Sequence, residues 1–112
     1  MKFEIPKIHV ELRLSDYAPE FGDAVIQVRV NPPRSLIEEW GRLIELAKVP
    51  DADASEINQG MNNVIAQLWG WPTEDVTELE NASLETDPAL MRWLVRKTWE
   101  LIMLHRAAIK KN

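Results

Sequence analysis

The densest run of potential metal ligands in the chain is Asp51-Ala52-Asp53-Ala54-Ser55, whose alternating side-chain oxygens match the opening of a calcium-binding loop. The match stops there, because Glu56 stands where the sharp turn needs glycine and Asn62 where the closing bidentate carboxylate belongs. A helix start accounts for the same residues, with Asp53 as cap and Glu56 three positions on. His9 and His105 are the only histidines and cysteine is absent, which leaves too few ligands for zinc. His105 falls in an apolar helical stripe and is expected to be a buried, hydrogen-bonded core side chain. Ser15, Ser35, Ser55 and Ser83 fall at expected loop or cap positions, none inside a G-x-S-x-G turn. Four glycines cannot supply a phosphate-cradling loop in any recognised spacing. No catalytic residue, cofactor or metal is expected, and the chain reads as non-enzymatic.

The chemistry that remains is recognition. Residues 50–87 hold nine acidic and no basic side chains, whereas residues 88–112 hold six basic and one acidic. Two arrangements account for this: the blocks face each other and help to dock the last helix, or the basic helix meets a partner. On that helix Leu90, Leu94, Thr98, Leu101, Ile102, His105 and Ile109 make one apolar stripe. Trp93, Trp99, Met103 and Leu104 lie outside its centre, among Arg92 and Arg96. One core face cannot hide both sets, so Arg92, Trp93, Arg96, Trp99, Met103 and Leu104 are the expected partner-binding residues. Polar replacement of Trp99 and Met103 is expected to weaken association and spare the fold. Trp69-Gly70-Trp71-Pro72 is a further pair of aromatics, for which core packing is the preferred reading.

The elements that must position these residues follow from periodicity. Strict alternation over residues 7–14, and again over residues 24–30, predicts two strands joined by a loop containing Pro19 and Gly22. Phe3 and Ile5 break parity with Ile8 and Val10 at Pro6, as a bulge or an edge-strand start would. Leu36, Ile37, Trp40, Leu43, Ile44 and Ala47 then share one helical face, with Ser35 and Glu38 as a capping box, Asn31-Pro32 as a competing start and Pro50 as the stop. A second helix carries Ile57, Met61, Val64, Ile65 and Leu68 and stops at Pro72. A short third covers residues 73–80, and Asp87-Pro88 opens a last helix reaching about Lys110. The fold class is α+β: an N-terminal antiparallel hairpin (residues 1–30) packed on three to four helices (residues 31–112), in one domain spanning residues 1–112. At this length a single core hides roughly two thirds of the unfolded surface. No run approaches a membrane span and the N-terminus lacks the apolar segment of a signal peptide, so a cytoplasmic protein without membrane contact is expected.

The strand entering Asn31-Pro32-Pro33-Arg34-Ser35-Leu36-Ile37-Glu38-Glu39-Trp40, followed by a long basic last helix, resembles the tail-assembly chaperones of long-tailed, siphovirus-like phages and prophages. The layout agrees along the whole chain, and residues 24–47 carry the likeness. The resemblance implies a non-enzymatic protein of the host cytoplasm that keeps the helical tape-measure protein soluble while tail-tube protein assembles around it. It supplies no catalytic residues, and nothing after Pro50 aligns with the family residue by residue. In that family a longer form often arises by ribosomal frameshifting. Lys110-Lys111-Asn112 fits, since AAA-AAA-AAC would encode it and contains a slippery heptamer. Two other readings stay open. One is a small regulatory protein using the basic helix on nucleic acid, against which stand the net charge of −5 and the lack of a recognised motif. The other is a structural subunit that forms a homo-oligomer through its strand edges.

Overall fold

The computed structural model describes residues 2–110, so Lys111 and Asn112 of the terminal tripeptide lie outside the described residues. Strand β1, His9–Arg13, pairs antiparallel with β2, Val25–Arg29, in the register His9↔Arg29 through Arg13↔Val25. Four helices follow: α1 (Arg34–Ala47), α2 (Ala54–Trp69), α3 (Thr73–Thr86) and α4 (Pro88–Lys110), the last the longest. This is the expected α+β hairpin-and-helices arrangement. A single buried cluster joins Leu12, Ile26, Val28 and Val30 of the hairpin region to Val64, Leu68, Leu94 and Ile102. The hairpin rests on α2 and α4, while α1 packs on α2 and α3 bridges α2 and α4.

The strands are shorter than the alternation implies, but their ladder extends past both ends. Val30 N–H donates to Ile8 O at 2.9 Å and Leu14 N–H to Ala24 O at 3.1 Å. At Pro6 the parity break is bridged by Asn31, whose amide donates to Pro6 O and accepts from Ile8 N–H, both at 2.8 Å. Asn31 is therefore spent on the strand and does not start α1. Nor does Ser35: the helix begins one residue earlier, behind Pro33 in extended conformation with no side-chain cap. Glu38 turns instead to Arg34, at 2.9 Å. Proline at that position fixes the entry angle but offers no side-chain acceptor to the first N–H groups of α1.

Leu36 and Leu43 carry the buried face of α1, whereas Ile44 and Ala47 of its apolar stripe are exposed and the helix ends at Ala47, short of Pro50. Asp53 caps α2 as expected, accepting from Ser55 and Glu56 N–H. That helix stops two residues before Pro72, at Gly70, whose φ of 71° is a left-handed turn open to glycine at little cost. Pro72 starts α3, which runs to Thr86 rather than Glu80. The extra turn is anchored from within: Ser83, buried and helical rather than in a loop, donates to Asp87 O at 2.7 Å and accepts from Met91 N–H at 3.0 Å. Ser83 thus supplies a cap oxygen for α4, a task expected of Asp87.

Asp87 has another partner. Its carboxylate accepts from the Tyr17 hydroxyl at 2.7 Å, tying the hairpin loop to the α3–α4 junction, and Trp93 packs on the Tyr17 ring with centroids 5.3 Å apart. The hydrogen bond to Asp87, with burial and the carboxylate charge adding to it and Arg92 opposing, raises the phenol's ionisation above its usual value of 10.0. A raised folded-state value means the folded protein holds that proton more tightly, so this contribution is complete below pH 10 and fades as pH climbs above it. Tyr17 is the one tyrosine of the chain, so its ionisation can be read by ultraviolet absorbance. The midpoint is expected above that of the urea-unfolded chain, and Asp87→Asn should lower it; an unchanged midpoint would refute the assignment.

Candidate functional site

Six residues of α4 were expected to meet a partner, and the helix divides them. Arg92, Arg96, Trp99 and Met103 follow i, i+4, i+7, i+11 spacing and share one face. Trp93 and Leu104, also eleven apart, sit about 100° round the helix by the same period. Trp93 is half-buried against Tyr17 and belongs to the scaffold, while Leu104 is 59% exposed on that neighbouring side. Trp99 is half-buried too, its ring 5.1 Å from that of Trp40, although its buried Nε1–H finds no acceptor among the described residues. Replacing Trp99 therefore disturbs the scaffold as well as the surface, contrary to the expectation from sequence. Met103, 59% exposed, remains the clean probe.

Above Trp99 the shared face borders a groove of about 390 Å³, in which Trp40, Met61, Ile65, Met91 and Val95 provide apolar surface and Leu84 stands 62% exposed. Four helices build it, and the charges on its walls differ in how far they are used. On the α2–α3 side Glu80 accepts from Asn58 at 2.8 Å and from the buried Asn62 at 3.2 Å. On the α4 side Arg92 and Arg96 are exposed and make no ion pair or side-chain hydrogen bond among the described residues. Below Trp99 the face continues through Met103 and Arg106 into a second hollow of about 520 Å³, bordered by Ala107, Ile109 and Lys110. From Arg92 to Arg106 this is about 21 Å of helix.

The two halves of the charge pattern do not lock together. Among the described residues all five ion pairs are local, between side chains two to four positions apart, and none joins residues 50–87 to residues 88–112. The basic side chains of α4 are thus left to solvent or to a partner, apart from Lys97, which meets Glu100. The apolar stripe also outruns the core. Leu90, Leu94, Thr98 and Ile102 are buried, but Ile109 is exposed, and His105 is only half-buried, its Nε2 without a partner among the described residues. The expected buried, hydrogen-bonded histidine is therefore not formed.

Leu84 and Met61 are the groove residues that sequence reasoning missed as surface. Met61 looks like core from its stripe, and Leu84 lies beyond the expected end of the third helix; its one signal is the helical spacing from Val76 through Glu80. Trp69 and Trp71 resolve as core-side aromatics, in edge contact at 5.0 Å. Elsewhere, a hollow of about 630 Å³ between α1 and α2 is lined by Glu39, Asp53 and Glu56, the first two of which are engaged. Asp53 caps α2, and Arg42 holds the Glu39 carboxyl below its usual range by hydrogen bonding. No cluster of three or more His, Asp or Glu able to hold a metal occurs among the described residues, and no described helix is long and apolar enough to cross a membrane. No known protein family, curated protein or solved structure matches the chain.

Proposed function

We propose that the chain is a non-enzymatic assembly chaperone that holds an amphipathic helical segment of a partner protein along the α4 face and its groove. The observation that carries this reading is the juxtaposition of exposed apolar surface, Leu84 and Met103, with Arg92 and Arg96, which have no ion-pair partner among the described residues. Apolar anchors rimmed by arginine suit a helix that offers leucine or methionine at i, i+3, i+4 spacing and a carboxylate at its edge. The likeness of residues 24–47 to phage tail-assembly chaperones supports naming the partner as the tape-measure protein, with tail-tube protein joining during assembly and the host cytoplasm as the place.

Co-expression with the tape-measure protein encoded in the same genome tests this. The chain is expected to keep that protein soluble and to co-purify with it, and Arg92→Glu with Arg96→Glu to abolish recovery while leaving the far-ultraviolet spectrum unchanged. A soluble tape-measure protein in the absence of the chain, or undiminished recovery with the double variant, would sink the reading.

The row Arg92, Arg96, Arg106 and Lys110 on one face favours nucleic acid as the second reading. Met103 and Leu84 give phosphate nothing to bind, so a salt-dependent gel shift that survives Met103→Asp would be needed to prefer it.

A further inference from the structure

The outer edge of β1 is an open hydrogen-bonding surface, and its residues are arranged to match themselves. The C=O of Ile8 and the N–H of Leu14 both reach toward the β2 side, as do the Pro6 and Ile8 groups held by Asn31. Even-numbered residues thus face β2, and by alternation the N–H and C=O groups of Lys7, His9, Glu11 and Arg13 point away. No backbone partner meets them among the described residues.

β1 is short and the solvent face of this edge carries Lys7, Glu11 and Arg13, but neither a proline nor a bulge interrupts its outward hydrogen-bonding groups. Pro6 lacks its N–H on the β2-facing side, where it blocks nothing outward, and the register from His9 to Arg13 contains no bulge. The apolar face of β1 also overhangs the helices. Ile8 is 43% and Val10 38% exposed, whereas their cross-strand neighbours Val30 and Val28 are both 0% exposed.

We propose that β1 pairs antiparallel with β1 of a second copy about a two-fold axis at His9, making a four-stranded sheet. In that register Lys7 of each copy faces Glu11 of the other, and Ile8 faces Val10, so two opposite-charge pairs and two apolar pairs form at once. The alternatives are worse. An axis at Val10 sets Lys7 against Arg13, and one at Glu11 sets the two Glu11 side chains against each other. An axis at Leu12 leaves Ile8 without a partner and runs into the 3-10 turn at Leu14–Asp16. The contact is isologous and closes at two copies, and the α4 face takes no part in it.

Sedimentation equilibrium from 1 to 100 μM, on the wild type, three charge variants and His9→Pro, decides. The wild type is expected to dimerise. Lys7→Glu and Glu11→Lys should each weaken the dimer about tenfold, since each places like charges opposite one another twice. The double variant restores the opposite pairs and should recover wild-type association. His9→Pro, which removes an outward N–H and none that faces β2, should give a folded monomer. A wild-type chain that stays monomeric, or a double variant no tighter than the singles, overturns the proposal. So does a dimer indifferent to all these changes, which would place the contact on another surface.

Discussion

Replacing Trp69 with alanine is expected to cost about 3–5 kcal/mol, a large share of the roughly 5–15 kcal/mol that holds a domain of this size together. The indole is almost wholly buried among the α2 and α4 side chains of the main cluster. Its Nε1–H also donates to Thr98 Oγ1 at 3.0 Å, and the Thr98 hydroxyl donates in turn to Leu94 O at 2.8 Å. This chain explains a hydroxyl at 0% exposure in the middle of an apolar stripe. Trp69→Phe keeps most of the volume and leaves Thr98 bonded to Leu94, so it should cost about 1–2 kcal/mol. Urea unfolding followed by far-ultraviolet circular dichroism measures both. A loss under 1 kcal/mol for the alanine variant would mean that the site collapses around the gap, and the packing account would be wrong.

Ser83→Ala is the second large effect, expected at about 1–3 kcal/mol although a single oxygen is removed. The buried Met91 N–H loses its acceptor, and Asp87 O loses a donor. The damage falls on the α3–α4 junction, which also carries the Tyr17 hydrogen bond. Loss of the serine should therefore bring the Tyr17 ionisation down toward 10.0 along with the stability. Ser83→Thr retains the hydroxyl and provides the control for volume. If alanine and threonine variants unfold at the same urea concentration as the wild type, the hydroxyl is not the cap of α4.

Periodicity made the hairpin, α2 and α4 legible, since one alternating or helical pattern accounts for Ile26 and Val28, for Val64 and Leu68, and for Leu94 and Ile102. Caps were harder to read, because several side chains compete for each terminus and the winner depends on tertiary neighbours. Asp87 has the residue type of a cap yet bonds Tyr17, 70 residues away in sequence, while Ser83 takes its place. The candidate face was half legible. Helical spacing groups Arg92, Arg96, Trp99 and Met103, but nothing local reveals that a loop tyrosine covers Trp93. The opposite wall of the groove needed the full length of α3, and hence Leu84, to be known.

Asn31 clamps the start of β1 through both ends of its side-chain amide, and such a group ordinarily has a limited chemical lifetime. Asparagine ages by attack of the following residue's backbone nitrogen on the side-chain carbonyl, closing a succinimide that opens to aspartate or isoaspartate. Here the following residue is Pro32, whose ring nitrogen bears no hydrogen and cannot make that attack. Conversion would have left a carboxylate unable to donate to Pro6 O. Pro32, the neighbour of the proline that starts α1, therefore preserves the amide that holds the sheet's free edge in line.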